Sequence, residues 1–223
     1  MLKTSSPILA NSANSANSAS RLIALDADGV LLDYHEAYAR AWAKAFGEFP
    51  ALKDPQAYSP WDRWDVPWLL GDRLKAFRAV FDFEFWSTVP AIFGAAEACQ
   101  QLVEAGFELV CVSALHTEFA EARRQNLQAL GFPIDTVIAT GASASEISPK
   151  AAALHRLQPA AFVDDFLPYF RGVHEGVHKA LIHRAMNGSP NTWPELANVH
   201  SQHLSLSVFA DFWIRKCTAG SNS

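Results

Sequence analysis

The chain has 223 residues, half of them hydrophobic and 18% charged, which suits one sizeable globular domain or a domain that carries a smaller insert. Its formal net charge is −5 and no basic block occurs anywhere, which argues against binding to nucleic acid polymers. No apolar stretch approaches the ~20 residues that a membrane-spanning helix needs, so we expect no membrane partner.

The N-terminal stretch, residues 1–20, contains a low-complexity Asn-Ser-Ala repeat and is predicted to be a disordered tail outside the fold. It lacks the long apolar centre of a secretory signal. The three cysteines, Cys99, Cys111 and Cys217, match no metal-binding spacing and indicate reduced thiols. Together these features predict a cytoplasmic protein.

Five short apolar runs, each ending in polar residues or glycine, have the pattern of buried parallel strands. They are Leu22–Leu25, 107–112, 136–139, 160–163 and 179–182. Helical patterns lie between or after these runs, at 95–105, 117–130, 149–157 and 207–216. This alternation predicts an α/β fold, a Rossmann-like parallel sheet with helices on both faces.

The segment 34–89 departs from that alternation. It begins with a predicted helix at 35–46 and contains a second one at 72–81. We interpret it as a small α-helical cap domain that is inserted after the first strand. The catalytic core then comprises residues 21–33 and 90–223.

Aromatic residues are concentrated in this predicted cap. Tyr38, Trp42 and Phe46 recur every four residues, a spacing that is typical of the core-facing stripe of a helix. Four further tryptophans are candidates for lining a substrate pocket and stacking on a flat ligand. They are Trp61, Trp64, Trp68 and Trp86.

Polar residues that can carry chemistry follow the predicted strands. They are Asp26, Asp28, Ser113, Lys150, Asp164 and Asp165. Ligands bind outside the carboxyl ends of the strands in such sheets, so we expect these side chains to converge. Four converging carboxylates would repel one another, and a divalent cation would offset that repulsion. Magnesium prefers oxygen ligands of this kind. A carboxylate nucleophile, a metal and an ammonium together favour phosphoryl transfer.

The sequence resembles the haloacid dehalogenase (HAD) superfamily. The resemblance is carried by LIALDADGV, FELVCVS, SPK and AAFVDD, in that order, and extends from residue 21 to about 183. It implies that Asp26 is the nucleophile and a magnesium ligand. It implies that Asp28 is the general acid and base, and that its backbone carbonyl also binds the metal.

The remaining roles implied by the resemblance concern the phosphoryl group and the metal. Ser113, Ala114 and Lys150 would bind the phosphoryl group. Asp164 and Asp165 would hold magnesium, Asp165 directly and Asp164 either directly or through a metal-bound water. The sequence departs from common family patterns at Ala114, where many members have asparagine, and also at Ala151 and Phe166.

The predicted function is a magnesium-dependent phosphomonoester hydrolase acting on a small phosphorylated metabolite. Asp28 favours ester hydrolysis, because the family's dehalogenases and phosphonate-cleaving members lack this second aspartate. The stretch 85–110 is similar to deoxyribonucleotidases of the superfamily and favours a nucleoside monophosphate, while small sugar or acid phosphates stay open. The alternatives are a sugar-phosphate phosphomutase and a non-catalytic HAD-like binding protein. The sequence leaves the oligomeric state open.

Overall fold

One parallel sheet organises the molecule. The computed structural model describes residues 20–141 and 146–220, so the predicted tail lies outside the described residues apart from Ser20. Within these residues, six strands form a sheet in the order β3-β2-β1-β4-β5-β6, and every neighbouring pair is parallel. The strands are β1 Leu22–Leu25, β2 Glu108–Ser113, β3 Val137–Ala139, β4 Ala161–Asp164, β5 His178–Ile182 and β6 Ser201–His203. The predicted α/β fold is therefore confirmed.

The first five strands lie within one residue of their predicted bounds. The sixth, β6, was not predicted because its sequence Ser-Gln-His has no apolar run. It forms by pairing with β5, from Ala180 opposite Ser201 to Ile182 opposite His203. This edge strand therefore depends on a partner that only the folded chain provides.

Helices cover the sheet and form the segment after β1. Those of the described residues are α1 Tyr34–Phe46, α2 Pro60–Arg63, α3 Gly71–Ala79, α4 Phe83–Ser87, α5 Ala95–Glu104, α6 Ala120–Ala129, α7 Ala151–Leu157 and α8 Leu206–Gly220. The predicted helix at 117–130 is split into a 3₁₀ turn and α6. In the described part of the chain, no helix combines the length and apolar character that crossing a bilayer requires.

The start of α7 differs from the prediction at 149. The Ser148 hydroxyl accepts the backbone N–H of Lys150 at 3.1 Å, and Lys150 occupies the cap position. The regular helix therefore begins at Ala151. This arrangement leaves Lys150 at the turn before the helix, pointing into the protein, where its side chain is completely buried.

The two faces of the sheet carry separate apolar clusters. Ile23 and Leu25 of β1 belong to one cluster, which includes residues of α5 and α8, and Ala24 belongs to the other, which includes α7. This alternation follows from the two-residue period of a strand. Residues 23–25 of β1 are thus completely buried on both faces of the sheet.

The segment 34–89 leaves the core and returns to it at one place. The backbone N–H of Asp33 donates to the Pro90 carbonyl at 2.8 Å, and that of Ile92 donates to the Leu31 carbonyl at 2.9 Å. Four helices, α1 to α4, lie between these connections. An inserted cap requires that the chain leave the core and return to it at neighbouring positions, as it does here. The division into two domains stays a prediction.

The aromatic stripe of α1 packs inside this segment. Tyr38 and Trp42 are buried, and their rings contact the ring of Phe77 from α3 at 5.1 and 5.5 Å between centroids. Phe46 lies 4.6 Å from Trp42. The interpretation as core is confirmed for Tyr38 and Trp42, and Phe46 is partly buried against them.

A buried histidine links the edge of the sheet to α8. The His178 ring lies 2.8 Å through Nε2 from the Ser201 hydroxyl, and the Lys216 ammonium lies 3.2 Å from its Nδ1. Burial, and then the charge of Lys216, lower the pKa of His178 to about 4. The folded protein therefore resists protonation of this ring across the mildly acidic range.

We predict that His178 lowers stability in mild acid. Between pH about 6.5 and about 4, the unfolded chain takes up a proton on His178 that the native state refuses, so the free energy of unfolding falls as pH falls. Urea unfolding at a series of pH values should show a shallower fall for His178→Gln than for wild type. The variant His155→Gln, at an exposed position, serves as the control and should keep the wild-type slope. Parallel slopes for all three proteins would contradict the prediction.

Candidate active site

A tight turn after β1 brings the first two acids to one place. The Asp26 backbone N–H donates to the Val163 carbonyl of the neighbouring strand at 2.9 Å, which extends the sheet pairing to the first acid. The N–H groups of Leu31 and Leu32 then donate to the Ala27 carbonyl at 2.9 and 2.8 Å. This turn folds the chain back, so that Asp26 and Asp28 line the same cavity.

Gly29 allows a third acid, Asp165, to approach that turn. Its φ of +97° lies in the region that favours glycine, and a Cβ there would lie 2.2 Å from an Asp165 carboxylate oxygen. The Asp165 carboxylate therefore lies directly against the Gly29 backbone. Only a residue without a side chain permits both the backbone conformation and this approach.

Lys150 joins the acids from beneath. Its ammonium lies 2.5 Å from Oδ1 of Asp26 and 2.6 Å from Oδ2 of Asp164. Burial by itself would lower the pKa of Lys150, but the attraction of the Asp164 and Asp26 carboxylates outweighs it and raises that pKa. Lys150 is therefore a permanent cation in the floor of the site.

The two consecutive acids after β4 face different ways. Asp164 is completely buried, and its carboxylate accepts from Lys150 through Oδ2 and from the Phe166 backbone N–H through Oδ1, at 2.9 Å. Asp165 lines the cavity instead. Asp165 is therefore placed to contact a ligand directly, while Asp164 supports the floor.

The acid cluster fits a hard divalent cation. One carboxylate oxygen from each of Asp26, Asp164 and Asp165 lies within 4.8 Å of the others. Burial, and then the charge of Asp164, raise the pKa of Asp165, which reflects the cost of placing these carboxylates together. An all-oxygen set of this kind matches the ligand preference of magnesium, so the residues present suit the predicted metal.

A cavity of about 420 Å³ opens above the acids. Most of the predicted site residues line it: Asp26, Asp28, Ser113, Ala114 and Asp165. Lys150 and Asp164 are completely buried and are not part of the lining, but Lys150 contacts both Asp164 and the lining residue Asp26. The structure thus brings the predicted residues from four separate parts of the chain into one site.

Aromatic rings form much of the cavity wall. They are Tyr34, Tyr58, Trp61, Trp86, Phe166 and Tyr169. Two of the pairs are stacked: Tyr34 on Trp86 with centroids 6.1 Å apart, and Tyr58 on Phe166 at 6.4 Å.

The four candidate tryptophans therefore lie in three different environments. Trp61 and Trp86 line the cavity. Trp64 is buried, and its indole N–H donates to the His35 carbonyl at 2.9 Å, so it belongs to the core. Trp68 is exposed and lies outside the cavity lining. The positions of these tryptophans along the sequence did not distinguish the three environments.

Arg123 was missed by the sequence analysis. Its side chain is completely buried, and its Nη2 donates to both carboxylate oxygens of Asp28 at 2.9 Å. Burial raises the pKa of Asp28, and the Arg123 charge opposes that rise. One signal was present: Arg123 lies four residues before Leu127, on the inward face of α6, where a charge is unexpected.

Arg184 was missed as well. It follows β5, lines the cavity, and lies 2.6 Å from Nδ1 of His35 and 3.7 Å from the Asp33 carboxylate. Burial, and then the charge of Arg184, lower the pKa of His35 to about 4. The neutral ring donates from Nε2 to the Tyr58 carbonyl at 2.7 Å and accepts from Arg184. No local pattern around Arg184 indicates this long-range contact.

We predict that Gly29→Ala disrupts metal binding. The new methyl group would displace the Asp165 carboxylate, so magnesium affinity measured by titration calorimetry should fall by at least about tenfold. Gly47→Ala is the matched control, because Gly47 has a φ of +82° but a Cβ added there would meet nothing within 4 Å. Both variants should lose roughly 1 kcal/mol of stability through backbone strain. Equal magnesium affinity in the two variants would contradict the predicted role of Asp165.

Comparisons with known proteins identify the fold. The sequence matches no protein-family model and no curated protein. The structure is similar to that of a predicted phosphoglycolate phosphatase from Haemophilus somnus 129PT, with a TM-score of 0.58 and 17% identity over 88% of this chain and 99% of the other. A HAD family hydrolase from Deinococcus radiodurans R1, with bound phosphate and sodium, gives 0.56 and 16% over 92% and 98%. A dehalogenase gives 0.56 and 18% over 88% and 98%.

Proposed function

The chain has the fold of the haloacid dehalogenase superfamily, and from that premise we propose that it is a magnesium-dependent phosphomonoester hydrolase. The observation that carries the proposal is the environment of Asp26. This carboxylate ends a buried strand, is oriented by Lys150 at 2.5 Å, and faces a cavity that it shares with Asp28. A fixed carboxylate beside a second acid suits nucleophilic attack followed by proton transfer.

The proposed reaction has two steps. In the first, an Asp26 oxygen attacks phosphorus, the P–O bond to the leaving group breaks, and Asp28 donates a proton to the departing oxygen. In the second, Asp28 takes a proton from a water molecule, which attacks the aspartyl phosphate, releases inorganic phosphate and restores Asp26.

The phosphoryl group needs positive charge and hydrogen-bond donors. In the proposal, Ser113 and the backbone at Ala114 bind its oxygens, and Lys150 orients Asp26 and offsets the charge from below. Asp26, Asp165 and the Asp28 carbonyl hold magnesium, with Asp164 behind them. Magnesium, when bound, supplies charge neutralisation for the phosphoryl oxygens.

Asp28 supports ester hydrolysis over dehalogenation. A halide leaves as a stable anion and requires no proton, whereas an alkoxide leaving group does. The carboxylate of Asp28 lines the cavity beside the proposed nucleophile, where it can supply that proton. The acid cluster also suits a cation that a dehalogenation would not need.

The aromatic walls support a flat leaving group, such as the base of a nucleoside monophosphate. Six aromatic residues surround a cavity of about 420 Å³, which is large enough for a small metabolite. Small sugar or acid phosphates are the rival substrates. In the proposal, the segment 34–89 acts as a cap that excludes water during the first step. The buried thiols Cys99 and Cys111, which form no disulfide, support a cytoplasmic location.

Phosphate release from a panel of esters tests the proposed reaction. Wild-type protein with magnesium should hydrolyse at least one ester in a panel that includes nucleoside monophosphates, and chelation of the metal should abolish turnover. Asp26→Asn should lower kcat by roughly a thousandfold or more, because it removes the nucleophile. Asp211→Asn, at an exposed position on α8, is the control and should keep full activity. Inactivity of the wild type on every ester would favour the binding-protein alternative.

A sugar 1-phosphate, supplied with a trace of the corresponding sugar bisphosphate, distinguishes a hydrolase from a phosphomutase. The hydrolase releases inorganic phosphate in proportion to substrate consumed. Phosphorus magnetic resonance would monitor the products. An isomeric sugar phosphate that accumulates without release of inorganic phosphate would contradict the hydrolase and favour the mutase.

Trp61 tests the proposed substrate class. Stacking of a base on an aromatic ring contributes about 1–3 kcal/mol, so Trp61→Ala should raise KM for a nucleoside monophosphate roughly tenfold. It should leave KM for a small acyclic phosphate unchanged. Trp68→Ala is the matched control, since Trp68 is 79% exposed and is not part of the cavity lining. An equal effect of Trp61→Ala on both substrates would argue against a planar leaving group.

A further inference from the structure

Arg123 is buried at a cost that packing does not explain. Its side chain has no exposed surface, and among the described residues its Nε and Nη1 atoms have no hydrogen-bond partner. An arginine with two unsatisfied buried donors destabilises a fold compared with an apolar side chain of similar size. Its presence inside α6 therefore points to a role in function.

Arg123 contacts the Asp28 carboxylate and the ring of Trp86. Its Nη2 donates to both oxygens of Asp28 at 2.9 Å, and its guanidinium lies 5.3 Å from the centroid of the Trp86 ring. The Asp28 side chain is 26% exposed, whereas that of Arg123 is 0% exposed. Arg123 therefore lies behind Asp28, and the open side of the carboxylate faces the cavity.

Helix α6 holds this guanidinium rigidly. One turn further along, Asn126 donates from Nδ2 to the Val89 carbonyl at 3.0 Å, where the chain returns from the segment 34–89. Trp86 also contacts Phe119, just before α6, with ring centroids 6.0 Å apart. Arg123 is thus carried by a helix that is fixed to the end of the segment 34–89 through Trp86 and Val89.

We propose that Arg123 is a positioning residue that fixes the carboxylate of Asp28 for proton transfer to the leaving group. This inference rests on the proposed hydrolase function. Arg123 has no path to the substrate, so it acts only through Asp28. A single nitrogen binds both carboxylate oxygens, so each oxygen keeps a lone pair that Arg123 does not use, and the Asp28 side chain lines the cavity.

The proposal makes the effect of Arg123 depend on the leaving group. An alkyl phosphate would release a strongly basic alkoxide, so its leaving group needs the proton from Asp28. In contrast, p-nitrophenyl phosphate releases a weakly basic phenolate, which departs without a proton. The ratio kcat/KM covers only the steps up to loss of the leaving group. Disturbing Asp28 should therefore lower kcat/KM for the alkyl ester far more than for the aryl ester.

The experiment compares Arg123→Met with Arg124→Gln in the full chain with magnesium. Methionine matches much of the volume of Arg123 without its charge, so the variant should keep or raise the wild-type melting temperature. It should lose roughly a hundredfold in kcat/KM for the alkyl ester found most active in the panel, and less than about threefold for p-nitrophenyl phosphate. Arg124→Gln changes the neighbouring exposed arginine, which pairs with Glu121, and should behave as wild type.

A double-variant cycle tests whether Arg123 acts through Asp28. In the Asp28→Asn background, Arg123→Met should cause no further loss on the alkyl ester, because the group that it positions is already absent. If Arg123→Met does not fold, Arg123→Lys takes its place in every comparison and should show a partial loss with the same dependence on leaving group.

The outcomes separate this inference from the function on which it rests. Equal losses on both esters, or an undiminished loss in the Asp28→Asn background, would overturn the positioning role while leaving the hydrolase intact. Absence of phosphate release by wild type from every ester would overturn the hydrolase itself, and the inference with it.

Discussion

One buried ammonium, shared by two buried carboxylates, holds the candidate site together. Lys150 contacts Asp26 at 2.5 Å and Asp164 at 2.6 Å, and so joins the end of β1, the turn before α7 and the end of β4. None of these charges would be tolerated alone in the interior, because an unpaired buried ion is costly. The orientation of Asp26 is therefore set by the core of the protein, and not by a mobile loop.

The sheet makes that contact possible. Strands β1 and β4 are neighbours, and the Asp26 N–H continues their pairing to Val163. Two acids that are 138 positions apart, Asp26 and Asp164, thus emerge at one edge of the sheet. The carboxyl ends of parallel strands create such a site in any doubly wound fold, and the loops that follow them supply its chemistry.

A divalent cation would neutralise the excess negative charge around the cavity. Among the described residues, five acids, Asp26, Asp28, Asp33, Asp164 and Asp165, face three cationic side chains, Lys150, Arg123 and Arg184. This leaves two excess negative charges, which one divalent ion would offset, so that an anionic substrate would meet no net repulsion. Each cation has a different position: Lys150 lies beneath the proposed nucleophile Asp26, Arg123 lies behind the proposed acid Asp28, and Arg184 lines the cavity wall.

Sequence patterns predicted the elements that depend on local or periodic information. The apolar runs of β1 to β5, the aromatic stripe of α1, and the order of the acids and Lys150 after those runs all follow from residue type and spacing. Strand β6 could not be predicted in this way, because Ser-Gln-His gains its conformation from pairing with β5. The partition of Trp61, Trp64 and Trp68 among cavity, core and surface also depends on packing.

The sequence by itself determined that this chain builds a parallel sheet and places acids, a hydroxyl and an amine at the ends of its strands. Residue type and period are sufficient for that, because each strand is specified by its own apolar run. Only the tertiary structure decided how those groups pair: Lys150 between Asp26 and Asp164, Asp165 against Gly29, and Arg123 behind Asp28. Such pairings join residues far apart in the chain, and their energies depend on distance and burial, which exist only after folding.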